Sequence, residues 1–282
     1  LLNGPAGNDF NAFGSFLLGL PNSAGKILQY PEEYKTRTQM FSAYIRDRWQ
    51  MTPRLTMSYG VRWEHYPYPT RDGRGMERYD FNTNQMLVCG VAPIPENCGV
   101  SVSNRNFAPR VGLAYRATDS FVIRAGYGIT VDPFNWARPL RTNYPVMFVQ
   151  NLVAPNAREW ATTFRQGLPA IPAPPSGGII PMPLTAAAIT VDDRAVRGYV
   201  QSWNFTLEKQ LQSGWLVSAG YVATRSLKNL TAFNANWSDI GTGAAGQQLR
   251  RRFGRVATTT YHGVIGTAKY DSLQMRAQKR FA

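Results

Sequence analysis

The sequence predicts an all-β chain: a partial, antiparallel, up-and-down transmembrane β-barrel of about seven or eight strands. Three observations predict it. Apolar and polar residues alternate with period two, over runs longer than ordinary strands. The runs come in pairs joined by short turns. The connections between pairs are very long, and they always fall at the end opposite the short turns.

The first pair lies between Phe41 and Glu64. Phe41, Ala43, Ile45, Asp47 and Trp49 alternate with Ser42, Tyr44, Arg46, Arg48 and Gln50. Thr52-Pro53-Arg54 breaks the pattern as a tight turn. Leu55, Met57, Tyr59, Val61 and Trp63 then alternate with Thr56, Ser58, Gly60, Arg62 and Glu64. The unit returns twice. Val111, Leu113 and Tyr115 alternate with Arg110, Gly112, Ala114 and Arg116, the chain turns over Ala117 to Ser120, and Phe121, Ile123, Ala125, Tyr127, Ile129 and Val131 follow. Trp203, Phe205 and Leu207 precede a turn at Gln212-Ser213-Gly214, and Trp215, Val217, Ala219 and Tyr221 follow it. A last strand carries Leu273, Met275 and Ala277 against Ser272, Gln274, Arg276 and Gln278. Strands of about 10 to 13 residues suit a tilted bilayer crossing.

The long connections are Pro67–Arg105, Asp132–Gly198 and Arg225–Ala268, far beyond the usual loop. Short turns on one side and long loops on the other are the pattern of bacterial outer-membrane barrels. The chain divides accordingly. Residues 1–38 hold a short helix, with Phe13, Phe16, Leu17 and Leu20 on one face, and a possible eighth strand over 23–30. Residues 39–131 hold two hairpins. Residues 132–198 form a long extracellular loop, irregular over the Pro- and Gly-rich Gly167–Pro183. Residues 199–282 hold a hairpin, a loop and the last strand. Alone, such a set leaves two open edges, which lipid does not tolerate.

In a barrel the apolar set faces lipid and the polar set faces the lumen. Arg46, Arg48, Arg62, Arg110, Arg116, Arg124, Arg276 and Arg280 fall on the lumen side. Trp49, Phe121, Trp215 and Phe281 near the turns, and Trp63 and Trp203 towards the loops, read as two aromatic girdles. The polar exceptions on the apolar face, Asp47, His65, Gln201, Lys209, Asp271 and Lys279, are expected near strand ends, where charge costs least. A soluble β-sandwich would show a similar alternation on shorter strands.

Composition narrows the classes. The 282 residues are 44% hydrophobic, so the chain is not of a disordered type. They contain no run of about 18 uncharged apolar residues, so no membrane-spanning helix is expected. The net charge is +14, but Lys and Arg are spread along the chain. The one tight cluster is Arg250-Arg251-Arg252. A nucleic-acid partner, which needs a localised patch, is not expected. Cys89 and Cys98 have no metal-ligand spacing. They are either two unrelated thiols or a loop disulfide in an oxidising compartment, with Pro95-Glu96-Asn97 between them. His65 and His262 also lack ligand spacing, and Asp192-Asp193 reads as an exposed acidic pair. Gly126-Tyr127-Gly128 lacks the helix of a phosphate loop, and Gly241–Gly246 lacks its Lys-Ser/Thr. No catalytic, cofactor-binding or metal-ligating set is expected, and no cofactor. The chain begins at Leu1 without a signal peptide and ends just after a strand pattern, so an internal stretch of a longer protein is expected.

Several segments resemble the barrel of Oar-like TonB-dependent outer-membrane transporters. They are Phe13–Pro21 (FGSFLLGLP), Phe41–Glu64 (FSAYIRDRWQMTPRLTMSYGVRWE), Asn106–Tyr115 (NFAPRVGLAY), Val122–Asp132 (VIRAGYGITVD), Val200–Leu211 (VQSWNFTLEKQL), Ala219–Thr224 (AGYVAT) and Tyr270–Phe281 (YDSLQMRAQKRF). They follow the family's order and span nearly the whole chain. The resemblance implies a 22-stranded barrel, an N-terminal plug often preceded by a carboxypeptidase-regulatory-like sandwich, and uptake energised by an inner-membrane TonB complex. The expected partners are outer-membrane lipid, the plug of the same protein, the TonB system and an unknown polar ligand. Loop aromatics such as Trp136, Tyr144, Phe148 and Trp160 are candidate ligand contacts. Two other readings remain open: a small ungated barrel acting as adhesin or structural anchor, and a soluble secreted β-sandwich acting as a binding module.

Overall fold

The alternating runs become paired strands. The computed structural model describes residues 9–29, 35–71, 74–154, 159–171, 173, 176–212 and 214–279. Arg280 and Phe281 lie outside them. Among the described residues, the long strands form one antiparallel meander in chain order: β1 (Phe41–Thr52), β2 (Leu55–His65), β3 (Asn106–Thr118), β4 (Phe121–Val131), β5 (Tyr199–Gln210), β6 (Trp215–Asn234) and β7 (Thr259–Lys279). Each strand is bonded to the next. The sheet is open. Its edges are β1 and the short strand Ala188–Val191, which runs parallel to the start of β7.

The short turns bind to their neighbours. The Arg116 N–H donates to the Arg54 carbonyl, and the Gln210 N–H donates to the Ser120 carbonyl. Register shifts between Gln50 and Thr52 and between Arg116 and Thr118 place bulges beside the turns, where the extra residue tightens strand twist.

Two expectations change. The possible strand over 23–30 forms as Ser23–Gln29, but it pairs with Met147–Val153 and not with the wall. Its sequence SAGKILQ lacks the two-faced pattern that a wall position requires. The connection expected at Arg225–Ala268 is nearly half strand, because β6 and β7 run 20 and 21 residues. Register shifts between Ser226 and Asn229 and between Asn229 and Thr231 break the alternation there. Lys228, at φ 56°, sits within that irregular stretch. A strand with bulges loses the period-two signal that reveals it.

The apolar core lies in the long connections. One cluster gathers Tyr68, Met76, Cys89, Cys98, Val100, Trp136, Leu140 and Val191. A second gathers Tyr79, Met86, Tyr144, Phe148, Ile180, Met182 and Leu249, so all three connections contribute to it. Short strands tie them further: Ile179–Pro181 pairs with Gln85–Leu87, and Arg78–Asp80 pairs with the same strand. The connections therefore fold into one packed cap at the end opposite the short turns. Along the middle of the wall, by contrast, Ile45, Leu273 and Met275 are 72%, 66% and 75% exposed. No described part of the protein covers them.

Candidate functional site: the polar face of the wall and its cap

Paired residues of neighbouring strands share a face, so the registers assemble into lateral rows. One row reads Asp47, Tyr59, Val111, Tyr127, Trp203, Ala223 and Asp271 from β1 to β7. The row two steps nearer the turns reads Trp49, Met57, Leu113, Ala125, Phe205, Tyr221 and Leu273. These are the apolar face. On the other face, one row reads Arg46, Gly60, Arg110, Gly128, Ser202, Thr224 and Tyr270. Arg48, Arg62, Arg116, Arg124 and Arg276 occupy that same polar face in adjoining rows. Trp49, Trp63, Phe121, Trp203 and Trp215 all stand on the apolar face, with Trp49, Phe121 and Trp215 at its turn end. Lys209 and Lys279, the cations near the turns, lie 5.9 Å from the ring centres of Phe121 and Trp215. His65 stacks on Trp63 at the cap end.

Asp47 and Asp271 do not sit at strand ends. Both lie in mid-strand, and each is answered by polar neighbours on the same face. The Tyr59 hydroxyl donates to Asp47 at 2.9 Å. Arg225 donates to Asp271 at 2.8 Å, and the Tyr221 hydroxyl donates to the same oxygen. The Arg225 guanidinium also stacks 5.2 Å from the Trp203 ring centre. Pairing takes the place of proximity to water in limiting the cost of charge there.

The polar face is rich in cations. Glu64 and Glu208 are its only acids among the described residues. Arg62 Nε donates to Glu64 at 2.6 Å, and Arg124 Nε donates to Glu208 at 3.1 Å. Glycine opens space between the arginines. A Cβ at Gly60 would stand 2.6 Å from the Ile45 carbonyl oxygen, and one at Gly128 would stand 3.3 Å from the Arg110 side chain. At both positions a side chain would displace what is already there.

Wall and cap meet through Glu64. The Tyr66 hydroxyl donates to its second oxygen at 2.6 Å, and Arg197 stacks 4.3 Å from the Tyr66 ring centre. Arg197 belongs to the connection before β5, so the polar face and the cap share one charged relay. Burial lowers the Arg197 guanidinium from its ordinary value.

The loop aromatics divide. Trp136, Tyr144 and Phe148 are not ligand-facing: they are 4%, 1% and 1% exposed, inside the cap core. Only Trp160 among those named is exposed. The acidic pair is engaged as well, with Asp193 against Arg78 and Asp192 accepting from the Tyr261 hydroxyl. No group of metal-ligating side chains occurs among the described residues. Cys89 and Cys98 are joined, with Cα atoms 5.0 Å apart, within the first core cluster.

Sequence reasoning missed the polar braces of the cap. Arg255 is fully buried. It donates to the Thr259 hydroxyl at 2.7 Å and to the carbonyls of Pro183 and Ala186, with its guanidinium 4.8 Å from the Tyr79 ring centre. Burial pulls its guanidinium down to about 10. Arg71 and Glu77, both fully buried, pair at 2.9 Å. Asn143 bonds to the Glu77 and Ile189 carbonyls. The available signal was the density of apolar residues in Val146–Val153, too high for a solvated loop.

The chain resembles barrel receptors of known structure. The ferric enterobactin receptor in complex with BCV-L6 shares 11% identity at a TM-score of 0.44, over 84% of this chain and 24% of the receptor. The R480A mutant of that receptor from Pseudomonas aeruginosa, in complex with enterobactin, shares 12% at 0.43, over the same shares. The siderophore receptor PirA from Pseudomonas aeruginosa shares 11% at 0.34, over 86% of this chain and 39% of PirA. This chain thus spans about a quarter of the first two receptors. No curated protein sequence matches it. The pattern of the outer membrane beta barrel domain matches residues 2–282, which take in the whole of the described wall and cap. The chain belongs to the outer membrane beta barrel domain family, and its place is the bacterial outer membrane.

Proposed function

We propose that this chain is a wall and loop cap of an Oar-like, TonB-dependent outer-membrane transporter for a polar ligand. The observation that carries the reading is the pair of opposite faces. The wall presents an uncovered apolar face on one side and an arginine-rich face on the other, under a packed cap. In this reading the apolar face meets lipid and the polar face lines the lumen. The cap receives the ligand, and a plug in the same protein, acting with the TonB system, gates its passage. Trp49, Phe121 and Trp215 would mark one membrane interface, and Trp63 and Trp203 the other. The chemistry is binding and passage, with no bond made or broken.

A small ungated barrel is the second reading, favoured by the single continuous antiparallel meander of the seven long strands. Planar-bilayer conductance of the full-length protein separates the two. A plugged transporter is electrically silent until the plug is removed, and a steady open conductance overturns the gated reading. Translating the gene on either side of this segment adds an independent check. Plug sequence before it and further strands after it are expected; a signal peptide directly before Leu1 and a stop codon after Ala282 would reject transport.

A further inference from the structure

The arginines of the polar face fall into two groups. Arg62 and Arg124 are matched by Glu64 and Glu208. Arg46 and Arg110 are matched by no carboxylate among the described residues, yet they stand in one row with only Gly60 between them. Arg62 occupies the next row on the cap side, and Gly112 the next on the turn side. Together with Tyr44 these residues line a cavity of about 470 Å³. No acidic side chain is among its lining residues. A solvated arginine surface needs no such opening. Here glycine keeps the floor low between two unmatched guanidinium groups, each a planar fork of donors shaped for an oxyanion.

We propose that this niche is an oxyanion-binding site, holding a carboxylate or phosphate group of the solute between Arg46 and Arg110. The assignment rests on the transport reading above and names the substrate class for it: small anionic solutes. Arg62, already committed to Glu64, sets the rim of the niche. A carboxylate side chain from elsewhere in the same protein has the same chemistry, and it would leave no room for an added anion.

The test is titration calorimetry of the full-length protein in detergent micelles at low salt, with citrate and inorganic phosphate as probes. Saturable binding of at least one anion is expected. Arg46→Gln with Arg110→Gln should weaken it by about tenfold or more, while Arg46→Lys, which keeps the charge, should cost less. Arg54→Gln, in the exposed short turn between β1 and β2, should leave it unchanged. Heat-modifiable gel migration confirms that each variant is folded. No saturable binding of either anion, or equal binding by the double variant, overturns the proposal; a niche filled by the protein's own carboxylate gives the first of these results. Uptake in cells with and without the TonB system separates the two readings. TonB-dependent uptake without anion binding removes only the niche, and anion binding with TonB-independent uptake removes only the energised transport.

Discussion

Arg225 and Asp271 face each other across the β6–β7 pair, 2.8 Å apart, on the apolar side of the wall. Neither stands near a turn. Each makes the other tolerable: an ionised side chain on an apolar face must find a partner or draw water to it. The pair should therefore behave as a unit. Asp271→Leu alone should lower the temperature at which the barrel loses its heat-modifiable gel mobility. Asp271→Leu with Arg225→Leu should recover most of the loss, because no lone charge remains. A double variant less stable than either single variant would show that the pair does more than neutralise itself.

The cap should be sensitive to aromatic truncation. Phe148 packs edge-on to Tyr144, 5.8 Å between ring centres, within the second core cluster. Phe148→Ala should cost the cap about 3–5 kcal/mol. Limited proteolysis should then cleave the long connections while the wall strands remain protected. Equal resistance in the variant would mean that the cap is not held by its core.

Alkali should loosen the cap before the wall. Burial raises the phenols of Tyr68 and Tyr79 above the usual 10.0. Raised folded-state values mean that the unfolded chain gives up these protons first. Their contribution is complete below pH 10 and is lost as pH rises from there towards the folded values. Phenolate absorbance should show exposed tyrosines ionising first, with the cap tyrosines following together with protease sensitivity. A single phase at the ordinary phenol value would contradict this.

The bridge between Cys89 and Cys98 closes a short loop against the core. Alkylation should add no mass without reductant and two adducts after reduction. Loop-closure entropy puts its contribution to the cap at about 2–3 kcal/mol, so reduction should increase proteolysis within Met76–Val102. Two thiols free before reduction would reject the bridge.

Much of the wall was legible in the sequence, because period-two alternation is the same signal in the chain and in the sheet. The residues assigned to the two faces by alternation, from Arg46 to Arg276 and from Trp49 to Trp215, fall into shared rows of one sheet. What alternation could not reveal was where it is interrupted. The bulges around Lys228 hid half of the last hairpin, and with it the mid-strand position of Asp271. The cap was illegible for another reason. Its core joins residues distant in sequence, such as Tyr79, Phe148 and Leu249, and no local period marks such contacts. Trp136, Tyr144 and Phe148 looked like free loop aromatics because nothing nearby in the chain named their partners.

The placement of the core in the connections also bears on how this protein can change. In most folds the loops drift and the scaffold is held fixed. Here a wall position asks mainly for a class of residue, apolar on one face and glycine or polar, often arginine, on the other. A cap position such as Phe148, Arg255 or Asn143 asks for a particular shape with particular partners. Mutational latitude is thus inverted. Strands can exchange residues within a class, while the connections must change in concert, as one block spanning three separate stretches of the chain.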